Sequence, residues 1–231
     1  MRNRINQIVL IIAVAMIFAA TQAKAAVILI DDFASGVNLS TFGTNSAVDD
    51  GPHAGVLGGY RDTAVNAPLG GLNVFYSPVV GNTIAFDALA GSSGTYSSIY
   101  DGPGLGGDLG QDLLGIAPGG NFSLSIVKAN GNGAILVTVR DGSDRVHSSY
   151  KSFTNGFVGV LNFNYGEYLG TGVDLSDVKN ISLIVASGGV ANDFTIGIFT
   201  ATQVVPEPAS LSLLGLGALV MLRRRKRQRA A

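Results

Sequence analysis

The chain has no cysteine, no tryptophan, two histidines and two glutamates, and each shortage closes off some chemistry. Without cysteine there is no disulfide framework and no thiol nucleophile, even in an oxidising compartment. The histidines, His53 and His147, have no metal-ligand partner at helical or strand spacing. No G-x-S-x-G elbow is present. Outside the C-terminal tail Glu167 is the only glutamate, so a glycosidase would have to recruit two aspartates about 5 to 9.5 Å apart. An enzyme is therefore not expected. Apolar runs long enough to span a bilayer comfortably, roughly 20 residues, are missing too.

What is present is concentrated at the ends. Arg2 and Arg4 precede the apolar stretch Ile8 to Ala20, and Ala23-Lys24-Ala25 follows it. This order predicts a secretory signal peptide over residues 1–25, cleaved after the small residues Ala23 and Ala25. At the other end come Pro206-Glu207-Pro208, the run Ala209 to Leu222, and a basic cluster that includes Arg223, Arg224 and Arg225. A helix over that run rises about 21 Å against a hydrocarbon core of about 30 Å, which suits a marginal, transient anchor. Leucines surround it on all sides and leave no polar face. Six of the last nine residues are basic, so the positive-inside bias puts that end in the cytoplasm and the body outside.

The tail resembles that of the PEP-CTERM exported proteins of Gram-negative bacteria, on Pro206-Glu207-Pro208-Ala209-Ser210, the short Leu/Gly/Ala helix and the arginine cluster. The resemblance implies that Pro206, Glu207 and Pro208 are recognised by a membrane exosortase. It implies a precursor anchored in the inner membrane and a product at the outer surface or outside the cell, with links to exopolysaccharide. The arginines would serve in sorting and processing.

Residues 26–203 remain for one domain, carrying six basic and fifteen acidic side chains, a net charge near −9. Such a surface repels nucleic acid. Its apolar runs are short, rich in Val, Ile, Phe and Tyr, and punctuated by Gly, Asn, Asp and Ser, which predicts an all-β domain, a sandwich of jelly-roll type, with eleven strands. Asn130-Gly131-Asn132-Gly133 and Asp141-Gly142-Ser143-Asp144 are read as tight hairpins, giving a three-strand meander in which Phe122, Leu124, Ile126, Ile135, Val137 and Val139 face the core. The glycine-rich segment Asp101 to Asp112 contains a G-x-G-x-x-G spacing but opens no helix, so a mobile loop is expected rather than a nucleotide site.

The body resembles, more loosely, jelly-roll domains of carbohydrate-binding type, through Asp31-Asp32-Phe33, Gly58-Gly59-Tyr60-Arg61-Asp62, Asp174-Leu175-Ser176-Asp177-Val178 and Asp193-Phe194. That likeness implies a structural Ca²⁺ on Asp31, Asp32 and Asp193, if the first and last strands are neighbours. It also implies polysaccharide contact by Tyr60, Arg61 and Asp62, with Tyr96, Tyr100, Tyr165 and Tyr168 as further stacking candidates. The function expected is a non-catalytic surface or matrix protein associated with exopolysaccharide. A calcium-stabilised carbohydrate-binding module is the alternative, and a secreted polysaccharide-active enzyme stands behind both.

Overall fold

The computed structural model describes residues 24–43, 46–77, 82–89, 92–103, 107–114, 119–187 and 192–205. Contacts group Ala26–Gln203 as one compact unit. The expected signal peptide, the C-terminal helix, Ala23, Pro206, Glu207, Pro208 and Arg223 to Arg225 lie outside the described residues. Among the described residues no helix is long and apolar enough to cross a membrane.

Among the described residues thirteen strands, a 3-10 turn (Leu57–Gly59, between β3 and β4) and a one-turn helix follow in order: β1 (Lys24–Asp31), β2 (Leu39–Phe42), β3 (Ser46–Pro52), β4 (Tyr60–Leu69), β5 (Gly71–Ser77), β6 (Thr83–Ala88), β7 (Ser93–Tyr100), β8 (Gly120–Asn130), β9 (Gly133–Asp141), β10 (Val146–Phe153), β11 (Gly159–Asn164), α1 (Tyr165–Leu169), β12 (Val178–Ser187) and β13 (Asp193–Val205). One sheet runs β11-β8-β13-β6-β5-β2 with β1 added along β13; the other runs β10-β9-β12-β7-β4-β3. The chain changes sheets at β2/β3, β4/β5, β6/β7, β7/β8, β8/β9, β10/β11, β11/β12 and β12/β13, the crossed connectivity of a β-sandwich.

Alternation builds the core. Phe122, Leu124 and Ile126 of β8 and Ile135, Val137 and Val139 of β9 are buried as their spacing dictates, and meet Phe194, Ile196 and Phe199 of β13 and Ile181, Leu183 and Val185 of β12. Each such side chain contributes about 1.5–3 kcal/mol on leaving water.

The two turns expected to make the meander behave differently. Asp141 to Asp144 is a hairpin: Asp144 sits at φ 62, and Asp141 Oδ1 accepts the amides of Ser143 and Arg145, both at 2.9 Å. Asn130 to Gly133 is not, because β8 already has β11 and β13 on its two edges and the chain must cross to the other sheet to start β9. Of its residues only Gly131 has positive φ, at 126°. The meander expectation is thus corrected to one hairpin and one inter-sheet corner.

Two strands escaped the sequence pattern, β2 and β3, one only four residues long and the other acidic at its centre. The glycine-rich segment is also corrected. Leu109 N–H donates to Lys179 O at 2.9 Å, Leu113 N–H to Leu175 O at 2.8 Å, and Leu113 is fully buried, so residues 107–114 are fastened along the approach to β12.

Candidate functional site

The residues singled out for calcium and sugar meet in an unexpected way. Asp31 and Arg61, both without solvent exposure, form an ion pair at 2.6 Å between Oδ2 and Nη1. Tyr100 OH donates to the same carboxylate oxygen at 3.0 Å, and the Phe33 amide to Oδ1 at 2.7 Å. The guanidinium also donates to Ser35 O and lies 4.6 Å from the Tyr76 ring centroid. Burial pushes the Asp31 carboxyl up, while Arg61, Phe33 and Tyr100 pull it back. A Cβ on Gly36 would come within 2.5 Å of Arg61 Nη2, so glycine at this position leaves the guanidinium its space. This pair fastens β1 to β4 inside the sandwich.

Asp31 therefore has no free carboxylate for a cation. Asp32 Oδ1 caps the Ala34 amide at 2.9 Å, and Asp193 stands opposite Asp87. Among the described residues no three His, Cys, Asp or Glu side chains gather to hold a metal, so the expected calcium set is not assembled. Nor do Tyr60, Arg61 and Asp62 form one patch: alternation along β4 turns Arg61 inward and its two neighbours to the other face. Tyr96, Tyr100, Tyr165 and Tyr168 are buried core residues rather than platforms, Tyr168 OH donating to Val137 O at 3.1 Å.

A different constellation faces water. Cross-strand register on the outer face of the seven-stranded sheet places Ser40 of β2, Asn73 of β5, Asp87 of β6, Asp193 of β13 and Asn130 of β8 side by side in one row. Ser40 Oγ donates to Asn73 Oδ1 at 2.6 Å. Burial raises the Asp193 carboxyl, and the charge of Asp87 and a hydrogen bond with it raise it further. At inter-strand spacing the row is about 19 Å long, enough for several sugar rings. Phe42 and Phe75, 68% and 43% exposed, flank its β2–β5 end on opposite sides.

At the β8 end the row opens into a hollow of about 510 Å³ lined by Asn130, Gly131, Asn132, Asn155 and Asn192. The amides brace one another: Asn155 Oδ1 accepts the Gly131 amide at 3.0 Å, Asn132 Oδ1 accepts the Asn155 amide at 3.1 Å, and Asn192 Nδ2 donates to Asn132 O at 2.9 Å. Phe153, at the end of the neighbouring β10, is in ring contact with Phe157 and Phe194. The corner between the sheets thus builds a rigid, uncharged surface of hydrogen-bond donors and acceptors.

Sequence reasoning missed this row because its members sit on five strands whose register cannot be read locally. One signal was available. Asn73, Asp87 and Asp193 are polar residues at outward positions of otherwise apolar strands, among Leu72 and Val74, Phe86 and Ala88, and Phe194.

Comparison with known proteins adds three likenesses of fold. The chain is similar to the family 11 carbohydrate-binding module of the cellulosomal cellulase Lic26A-Cel5E of Clostridium thermocellum, at 11% identity over 78% of this chain and 95% of that one, with a TM-score of 0.37. A family 29 carbohydrate-binding module is similar at 14% identity over 82% and 95%, with a TM-score of 0.39. An agarase is similar at 10% identity over 79% of this chain but 25% of its own, with a TM-score of 0.43. No curated protein sequence matches. Residues 204–227 match the PEP-CTERM protein-sorting motif, which marks the chain as an exported protein sorted through the cell envelope.

Proposed function

We propose that this is an exported surface protein that holds polysaccharide on the outer face of its seven-stranded sheet. An exosortase of the Gram-negative inner membrane would process its tail at Pro206-Glu207-Pro208. The observation that carries the binding reading is the row Ser40–Asn73–Asp87–Asp193–Asn130 and its continuation into the asparagine hollow. A carboxylate accepts two hydroxyl hydrogen bonds from neighbouring carbons of a sugar, and an amide offers one donor group and one acceptor. Phe42 and Phe75 supply apolar faces for the C–H side of a pyranose ring. Asp87 and Asp193 stand directly opposite each other across β6 and β13 as paired acceptors for hydroxyls, and the reading is of binding without turnover.

The test is affinity electrophoresis of the full chain through gels carrying neutral or acidic polysaccharides. Phe75→Ala and Asn73→Ala are expected to weaken retention about tenfold each, equivalent to about 1.4 kcal/mol, with Ser148→Ala on the other sheet as the control. Retention that is unchanged in both variants, or absent for every polymer, overturns the proposal.

A further inference from the structure

The outer face of the six-stranded sheet belongs to neither the row nor the tail. Its central row reads, strand by strand, Ala64 of β4, Ser97 of β7, Ile184 of β12 and Leu136 of β9. Small residues fill one half and large apolar ones the other. The next row reverses that order at the centre, with Ile99 of β7 beside Ser182 of β12. Ile99 is 39% exposed, and Val48 of β3 and Tyr150 of β10, at the two ends of the central row, are 57% and 61% exposed.

We propose that this face is a two-fold interface between copies of this chain. A two-fold axis lying along the strands, midway between β7 and β12, sets β7 against β12 of the second copy and β4 against its β9. Under that operation the bulky side chains of the four central strands meet small ones, Ile184 over Ser97, Leu136 over Ala64 and Ile99 over Ser182, and at the two ends of the central row Val48 meets Tyr150, apolar against aromatic. Asp62, opposite Ile99 within the chain, comes to lie over Thr138, whose hydroxyl is a donor. Sheets packed face to face interdigitate at about 10 Å with strands about 30° apart, so the match is closest at the centre, where these residues sit. An isologous contact closes after two copies and needs no other partner.

The desolvation cost falls mainly on the Asp62 carboxylate, because the hydroxyls of the face already have partners. Thr138 and Ser148 already share a hydrogen bond at 2.8 Å, and the Ser97 hydroxyl donates to Ala64 O at 3.4 Å. Six strands at about 4.8 Å and three to four rows at about 7 Å give roughly 600 Å² per copy. Some 1,200 Å² in all is the lower end of specific interfaces, so the dimer forms reversibly at micromolar concentration rather than permanently. It leaves the seven-stranded sheets outermost.

Sedimentation equilibrium of the full chain in nonionic detergent, between micromolar and hundred-micromolar concentration, reads this directly. Ala64→Leu sets two leucines against each other, Leu136→Ala empties the hole, and both are expected to weaken the dimer at least tenfold. The double variant Ala64→Leu/Leu136→Ala, which exchanges knob and hole, is expected to recover most of the wild-type constant. Unchanged melting temperatures show that each variant is folded. A monomer throughout the range overturns the proposal, and so does association indifferent to the single variants, which would belong to the tail. A double variant no better than the singles overturns it as well, and loss of polysaccharide retention with no change in association would assign the face to a glycan instead.

Discussion

Asp193 on β13 stands directly opposite Asp87 on β6, two carboxylates in register on the water side of the sheet. Like charges so placed weaken a strand pair, and Lys128 is the cation that offsets them at Asp193. Asn73 and Asn130, on either side, are neutral. A sheet selected for stability alone would carry Thr or an opposite charge here; a surface that must accept hydrogen bonds from hydroxyls has a use for both acids.

Replacing Asp193 by Asn should therefore stabilise the fold, by about 0.2–1 kcal/mol at neutral pH. The sign follows from burial and Asp87 raising the Asp193 carboxyl. The folded protein holds that proton more tightly than the unfolded chain, so the associated stability is fully present below the ordinary aspartate value near 3.8 and is lost as pH rises through the raised one. Urea unfolding of both proteins should show the advantage of the variant growing from pH 4 to pH 7. A constant difference would contradict this account.

Asp141, Asp144, Asp174 and Glu167 have the opposite sign. Burial works against the charge of Asp141, but the amides of Asp174 and Arg145 and the Arg145 guanidinium more than compensate and lower its carboxyl. Lys179 does this for Asp144, the Ser176 hydroxyl for Asp174, and the Ser149 hydroxyl with Lys151 for Glu167. Their contribution is present above the ordinary carboxylate range near 4 and disappears as pH falls through the lowered values. Melting temperature should drop steeply below about pH 4, and Asp141→Asn, which keeps the shape but not the charge, should flatten that drop.

Arg61→Ala leaves Asp31 charged and buried without its partner, at a cost of about 3–5 kcal/mol. Asp31→Leu/Arg61→Met, which removes both charges and keeps the volume, is expected to lie within about 1–2 kcal/mol of wild type or above it. Chemical denaturation of the three proteins checks this. A double variant as weak as the single would mean that the pair acts through hydrogen bonds to Tyr100 and Ser35 rather than charge.

Strand periodicity was legible wherever apolar residues alternated, as in Phe122, Leu124 and Ile126, and the sandwich follows from it. Pairing was not. The Asn130–Gly133 and Asp141–Asp144 turns look alike in composition, yet one joins partners and the other separates sheets, because the outcome depends on which edges of β8 are already taken. Arg61 illustrates the same limit for the site. A charged residue in an alternating strand reads as exposed, and only Asp31, thirty residues earlier, turns it inward.

The corner at Gly131 makes the last prediction. A Cβ there would lie 1.9 Å from Asn192 Oδ1, and a φ of 126° is strained for any residue with a side chain. Gly131→Ala must push Asn192 off Asn132 O and open the hollow, at an expected cost of about 1–3 kcal/mol. Phe75 is far along the row and should keep its own contribution. Thermal melting reads the first effect and gel retention the second. If the hollow completes the polysaccharide site, Gly131→Ala should weaken retention at temperatures where the protein is still fully folded, and Phe75→Ala should weaken it again by its usual factor in that background, since well-separated contacts on a rigid sheet add.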